Sequence, residues 1–350
     1  MVNQIKYGSV CSGVEAATAA WDGLGWKPQF FSEIEAFPSA VLNHHYPNVP
    51  NYGDMTKFKE WKDESIDVLV GGTPCQSFSI AGLRKGLDDP RGNLMLTYLA
   101  IAERYNPRWI VWENVSGVLS SNRGRDFGTF LGALGKLGYG FAYRVLDAQN
   151  FGVAQRRRRV FVVGYFGNWR GAAAVLFERE GLSGDIAESR KERKDIAGTV
   201  TTRSGNGGGG GLGTDEACSG FLQPSYVPKI SATLETTCHD YSRADGFTMM
   251  AFPTEMSGTQ KASTKNISPA LAAKHTTSIQ QGAKVRRLTP IETERLQGFP
   301  DDYTRIPWRN KKPEDCPDGP RYKAMGNSMA VPVMKWIGER IQKFEEIKNG

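Results

Sequence analysis

The 350-residue sequence contains no run of about 18 apolar residues, so it offers nothing that reads as a membrane-crossing helix. Its first residues, MVNQIKYGSVCSG, lack the apolar stretch of a secretory signal, which points to a cytoplasmic protein. Histidine is scarce, with four in the chain, and neither a CxxC nor an HExxH spacing occurs, so no metal site is expected. Five cysteines, an odd number without paired spacing, exclude the stapled framework of a small secreted domain. Disorder throughout is excluded too, since 39% of residues are hydrophobic and 23% are charged. What is present is enough chain for two or three domains and a net charge of +7. The excess of Lys and Arg, with a pI near 9.1, suggests a polyanionic partner.

Up to about residue 169 the chain alternates strand-like and helix-like segments. Strands are expected at Ile5–Val10, Gln29–Phe31, Asp67–Val70, Trp109–Trp112, Phe141–Leu146 and Val160–Tyr165. Helices are expected near Val14–Leu24, Phe37–His45, Leu94–Arg104 and Phe127–Leu137. Alternation of this kind specifies βαβ units, hence an α/β fold with a mostly parallel sheet covered on both faces. Ligands of such sheets bind beyond the carboxyl ends of the strands, so the loops after strands are where chemistry is sought.

The texture then changes. Residues 170–285 carry a glycine tract, Gly207–Gly211, scattered Ser and Thr, and no sustained period. Three short segments beginning at Ile196, Ile230 and Ile267 resemble one another, at a level that chance among Thr/Ala-rich stretches equally explains. This region holds 13 Lys+Arg against 12 Asp+Glu, so almost all the positive excess lies outside it. Regular structure resumes near Arg286, with helices expected at Pro290–Gln297 and Ser328–Ile341, the latter packing back on the first domain.

Three strand ends stand out chemically. Asp67–Val70 runs into Gly71-Gly72-Thr73-Pro74-Cys75-Gln76, which places Cys75 on a rigid turn just past a strand. A lone cysteine is usually a small buried hydrophobe, but one at such a turn is a candidate nucleophile. Trp109–Trp112 ends in Glu113 and Asn114; alone, Glu113 is simply exposed, whereas beside Cys75 it becomes an acid or hydrogen-bonding partner. The run Gln155-Arg-Arg-Arg-Arg159 leads into Val160–Val163. On an extended backbone Gln155, Arg157 and Arg159 share one side, and Arg156 and Arg158 the other.

The order Pro-Cys-Gln, Glu-Asn-Val, Gln-x-Arg-x-Arg, Arg286-Arg-Leu-Thr-Pro with Gln297-Gly-Phe-Pro, and Gly326-Asn-Ser resembles the DNA (cytosine-5) methyltransferase family over residues 5–166 and 286–341. The resemblance implies a Rossmann-like sheet with helices on both faces plus a smaller, irregular target-recognition domain. It divides the chain into a catalytic and cofactor-binding domain (1–169), a variable target-recognition domain (170–285) and a return segment (286–350). Cys75 matches the nucleophile that adds to carbon 6 of cytosine, and Glu113, followed by Asn114, the acid at the ring nitrogen. Arg157 and Arg159 match base-positioning arginines, with Gln155 in support. The loop Ser77–Arg91 matches one that closes on DNA.

The same resemblance implies S-adenosyl-L-methionine as cofactor, with S-adenosyl-L-homocysteine as product and no metal. Cys11, Gly13 and Val14 fall in the first Gly turn, which departs from the usual family form at Ser9, Cys11 and Glu15. Glu33 matches the group that binds the ribose hydroxyls, Ile34 packs on the adenine, and Asp54 accepts from the adenine amine beside Met55. Pro74, Leu94, Asn327 and Met329 match further contacts; on chemistry alone Ile34, Met55 and Leu94 serve equally well as core residues. The implied partner is double-stranded DNA, bound by a monomer that is not attached to a membrane and that either pairs with a restriction endonuclease in a restriction-modification system or is carried by a mobile element such as a phage. A tRNA cytosine-5 methyltransferase and a non-catalytic DNA-binding relative are the alternatives; a dinucleotide oxidoreductase is disfavoured because the first turn lacks GxGxxG. Arg203, Asn206, His239 and Arg243 are candidate base readers, with nothing to choose among them.

Overall fold

In a computed structural model of the protein, the structure describes residues 4–74, 94–177, 249–253, 264–265, 268–269, 277–281 and 284–349. Cys75, the loop Ser77–Arg91 and the candidate base readers Arg203, Asn206, His239 and Arg243 lie outside these residues.

Hydrophobic, β-branched segments form β1 (Lys6–Val10), β2 (Lys27–Ser32), β3 (Val68–Gly71), β4 (Trp109–Val115), β5 (Tyr139–Asp147) and β7 (Arg158–Phe166). Together they make one six-stranded sheet in the order β2-β1-β3-β4-β7-β5. β2, β1, β3 and β4 run parallel, while β7 lies antiparallel to both β4 and β5. The sheet is therefore mixed, with the expected parallel arrangement interrupted at β7. The link from β5 to β7 holds only a short 3-10 turn, Ala148–Phe151, and β6 (Gln155–Arg156), too little chain for a crossover that would keep β7 parallel.

Alternate residues of the central strands face opposite ways, and each face has its own core. Val68, Val70, Trp109, Val111, Phe161 and Val163 pack on one side with α1 (Ala16–Trp21), α5 (Trp169–Leu176) and α8 (Val331–Asn349). Leu69, Ile110, Trp112, Val160 and Val162 pack on the other with α3 (Leu94–Tyr105) and α4 (Arg125–Lys136). Helix α8 is longer than the Ser328–Ile341 expected and ties down three indoles. Trp21 Nε1 donates to the Met334 carbonyl at 2.8 Å, Trp26 Nε1 to Gln342 at 2.9 Å, and Trp109 Nε1 to Glu345 at 2.9 Å.

Helix α1 begins later than expected because Glu15 adopts a left-handed conformation, with φ of +67°. Helix α2 spans Ala36–His45. Helix α6 (Pro290–Gln297) opens on a capping box, with Thr289 and Glu292 each bonding the other's backbone, and on a proline at its first turn. Helix α7 (Asp318–Asn327) precedes α8.

The chain divides into two compact units. One comprises residues 1–176, 249–280 and 284–350; the other comprises 177–248 and 281–283. Helix α5 runs across the boundary drawn at residue 169 from the sequence, because Ala172, Val175 and Leu176 are buried in the core of the first unit. Past that helix are short strands β8 (Met249–Pro253), β9 (Thr264–Lys265), β10 (Ser268–Pro269), β11 (Thr277–Gln281) and β12 (Lys284–Arg287). No helix among the described residues is long and apolar enough to cross a membrane.

Candidate active site

The parallel strands reverse their order of addition at β1: β2 lies on one side of it and β3 on the other. This switch point is where an open α/β sheet leaves a crevice at its carboxyl edge. A cavity of about 420 Å³ occupies it. Its walls come from the ends of β1 (Cys11, Gly13), β2 (Ser32, Glu33, Ile34), β3 (Gly72, Thr73, Pro74) and β4 (Glu113, Asn114, Val115), with Arg157 and Arg159 from the β6–β7 region. Asp54, Met55, Leu94 and Asn327 complete it.

On the β1–β2 side the polar groups are carboxylates held by backbone donors. Glu33 Oε2 accepts from the Gly13 N–H at 2.8 Å, and Oε1 from the Glu35 N–H at 2.7 Å. Gly13 has φ of +58°, a conformation that suits glycine and turns its N–H toward Glu33. Burial raises the Glu33 acid above its usual range, and the backbone bonds from Glu35 and Gly13 pull it back. Asp54 caps a 3-10 turn, its Oδ1 accepting from Thr56 N at 2.9 Å and Thr56 Oγ1 at 2.8 Å. Ile34 is 72% exposed on the cavity wall, which leaves its side chain open to an apolar ligand face. Cys11 sits with φ of +50°, its thiol 3.4 Å from the Met55 sulfur. Burial and then the Glu33 charge push that thiol up to about 12, so it is no thiolate nucleophile.

The β4–β7 side is built differently. Strand register pairs Glu113 with Phe161 and Val115 with Arg159. Arg159 thus lies diagonally across from Glu113 on the same face, and its Nε stands 3.2 Å from Glu113 Oε1. Glu113 is buried, and burial raises its acid while Arg157 and Arg159 lower it. Burial alternates along 155–159: Gln155 and Arg157 are buried, Arg156 and Arg158 exposed, and Arg159 half-buried. Arg157 donates to the Ser328 carbonyl at 2.7 Å and the Gly326 carbonyl at 3.3 Å, joining the β6–β7 junction to the end of α7. Burial and the Arg159 charge press its guanidinium down to about 9, still charged at neutral pH.

Asn114 is a latch. Its Nδ2 donates to the Thr73 carbonyl at 2.9 Å, while Trp112 Nε1 donates to Thr73 Oγ1 at 3.0 Å. Both hold the turn that leads to Pro74 and Cys75. Gly72 permits the crowding, since a Cβ there would lie 3.1 Å from both Glu113 Oε2 and Met329 Cε.

Most residues singled out from the sequence therefore border one cavity. Three described ones do not. Val14 is fully buried in the core, contributing its carbonyl to the Tyr303 hydroxyl at 3.0 Å. Gln155 is fully buried, its amide atoms without hydrogen-bond partners among the described residues. Met329 borders a smaller adjoining cavity. Thr73, Glu35 and Pro38 line the site without having been singled out. Thr73 was legible as the residue before Pro-Cys, whereas Pro38 carries no sequence signal.

The cavity suits a nucleoside-bearing ligand in size and in donor set. One carboxylate with remaining lone pairs suits a diol, a second suits an exocyclic amine, and Ile34, Met55 and Leu94 supply apolar walls.

A model of the C-5 cytosine-specific DNA methylase family matches residues 5–343. The chain belongs to this family. Among curated relatives, the DNA N-6-adenine-methyltransferase of Escherichia phage P1 is 39% identical over 98% of the chain. The chain spans 62% of that relative's length. Type II methyltransferase M.HpaII of Haemophilus parainfluenzae is 30% identical, over 97% of this chain and 88% of its own. Type II methyltransferase M2.BsuMI of Bacillus subtilis is 28% identical, over 97% and 76%. Among solved structures, a putative DNA modification methyltransferase encoded in an E. coli prophage aligns with a TM-score of 0.58 at 18% identity, covering 97% of this chain and 99% of that one. S. pombe Dnmt2 methyltransferase aligns with 0.55 at 13%, covering 99% and 100%. At these identities the two structures establish the fold alone. Family and fold together imply S-adenosylmethionine as cofactor.

Proposed function

We propose that this chain methylates carbon 5 of cytosine at a specific sequence in duplex DNA. The observation that carries the reading is a buried acid, Glu113, flanked by Arg159 and Arg157 on the same cavity as the Glu33 and Asp54 carboxylates.

The roles follow from the chemistry of the base. Carbon 5 of cytosine is a weak nucleophile. Addition of the Cys75 thiolate to carbon 6 forms a sulfur–carbon bond and shifts the ring electrons toward carbon 5. Glu113, whose burial favours its protonated form, donates to the ring nitrogen and stabilises the adduct. Arg159 keeps the Glu113 carboxyl aimed into the cavity, Arg157 braces the wall behind it, and Gln155 supports that wall from inside. Asn114 holds the Thr73–Pro74 turn and so positions Cys75. When bound, S-adenosylmethionine would supply the electrophilic methyl group for carbon 5, with S-adenosylhomocysteine as the product. Loss of the carbon-5 proton to a base then restores the double bond and expels the thiolate.

On the cofactor side, Glu33 takes the ribose hydroxyls, Asp54 the adenine amine, and Ile34, Met55 and Leu94 the adenine faces; Cys11, Gly13, Pro74 and Asn327 fill out the pocket. The reacting carbon is hidden in a stacked duplex, so the base is extruded at a cost of a few kcal/mol. Residues 170–285 supply the major-groove reader, and the basic excess elsewhere in the chain supplies phosphate contacts. The protein acts as a cytoplasmic monomer alongside a restriction endonuclease.

The name of the phage P1 relative raises adenine N6 as a second reading. An exocyclic amine attacks a methyl sulfonium directly and needs neither a thiolate adduct nor an acid at the ring nitrogen. The Pro-Cys-Gln turn and the Glu113–Arg159 pair would then have no task. Incubation with tritiated S-adenosylmethionine and duplex DNA or tRNA, followed by nucleoside analysis, tests this. We expect label in 5-methylcytosine from DNA. Label in N6-methyladenine, or only in tRNA, overturns the reading.

A further inference from the structure

The turn after β1 carries an acid that the proposed chemistry does not use. Glu15 stands at φ of +67°, where glycine is comfortable and glutamate is strained. It is also 1% exposed. Its carboxyl is bonded by the Ser9 hydroxyl and the Thr18 backbone, yet Oε2 has no hydrogen-bond partner among the described residues. The groups facing it are acids and phenols: Tyr7 of β1, Glu33 past β2, Tyr46 past α2, and Tyr303 past α6. Among the described residues no Lys, Arg or His pairs with it. Burial raises its acid to about 8. A buried carboxylate with a spare lone pair and no counter-charge is unfavourable unless a cation arrives.

Glu15 borders a second cavity of about 30 Å³, with Ser9, Ser12, Ser328 and Met329. Cys11, Gly13, Gly72, Glu113 and Asn327 border both this cavity and the large one. A space of that size admits one small polar group, about one or two waters' worth. With the nucleoside end of the cofactor at Glu33 and Asp54, and the methyl near Glu113, the remaining branch is the amino-acid end. That branch carries one ammonium and one carboxylate, and Glu15 repels the carboxylate.

We propose that Glu15 is a cofactor-binding residue that takes the α-ammonium group of the methionyl end of S-adenosylmethionine. The assignment rests on the cofactor reading above. It explains why a strained and buried position keeps a carboxylate where glycine would be unstrained.

Calorimetry on the full chain tests it, with S-adenosylhomocysteine and its analogue bearing hydrogen in place of the α-amino group as probes. The wild type should bind the amine-bearing probe at least about tenfold more tightly than the analogue, as expected for a charge-assisted bond. Glu15→Gln should weaken the first and leave the second unchanged. Glu15→Gly, suited to the positive φ, should do the same with the fold intact by thermal unfolding. In the wild type, affinity should rise with pH up to about 8, and binding at pH 7 should release close to one proton more than in Glu15→Gln. Glu33 is also raised by burial but is common to both proteins, so the difference isolates Glu15. Equal weakening of both probes, or unchanged discrimination in either variant, overturns the inference. Failure of the wild type to bind S-adenosylhomocysteine at all would instead remove the cofactor reading, and this assignment with it.

Discussion

The two sides of the strand-end crevice handle carboxylates in opposite ways. Beside β1 and β2, Glu33 and Asp54 are held by backbone and hydroxyl donors. Beside β4 and β7, Glu113 is faced by two arginines and otherwise enclosed. A carboxylate fixed by neutral donors keeps lone pairs for a ligand's hydroxyls and amines. Burial pushes the Glu113 acid up while the two arginines pull it down, opposing influences of the kind found at proton-transferring groups. In the proposed function, one side holds the cofactor and the other carries the reaction.

Removing groups from the reacting side should therefore lower turnover, and removing them from the holding side should lower affinity. The largest expected effect is Cys75→Ser, which should abolish measurable methyl transfer while S-adenosylhomocysteine binding persists. Wild-type rates in this variant would exclude covalent addition there. Glu113→Gln should follow, lowering kcat by about 10²–10⁴-fold with little change in cofactor affinity. Its pH profile carries the sign. A raised acid must be protonated to donate, so the wild-type rate should fall as pH rises through the Glu113 value, and the Gln variant should lose that limb. Glu33→Ala should leave kcat at saturation nearly intact and weaken cofactor binding by about 10–100-fold, read by calorimetry. A kcat loss as large as that of Glu113→Gln would erase the division between the two sides. The smallest effect is expected from Asn114→Ala, about 1–3 kcal/mol of stability from the freed Thr73 carbonyl, read from denaturant midpoints.

How much of this was legible beforehand differs between elements for physical reasons. The six main strands stood out because each is a compact hydrophobic or β-branched run, and Thr289–Glu292 announces α6 with a capping box. The direction of β7 did not stand out, because a buried strand has the same composition whichever way it runs; only the shortness of the β5–β7 link betrays it. Helix α7 escaped notice since Asp318-Gly-Pro opens it and Gly326 lies near its end, all weak helix formers overridden by the packing of Ala324 and Met325. Helix α5, rich in alanine, was assigned to the irregular region although its apolar face completes the core.

Within the site, the motif residues Glu113, Asn114 and Arg159 were visible as types, but their diagonal register was not. Nor was the work of Asn114 on the Thr73 turn, because a side-chain-to-backbone bond across 41 positions leaves no local mark. Glu15 showed only as a departure from the family's glycine, and its lack of a cationic partner among the described residues emerged with the packing.

The claim at the centre is that sulfur from Cys75 bonds to carbon 6 of an extruded cytosine while Glu113 holds its ring nitrogen. Duplex DNA with 5-fluorocytosine at the target position tests it, because fluorine at carbon 5 cannot depart as a proton does and the adduct is trapped after methyl transfer. Peptide mapping should find the base on Cys75, dependent on S-adenosylmethionine and lost in Cys75→Ser. An adduct on Cys11 or Cys316, or none despite active methylation of unmodified DNA, would contradict the account.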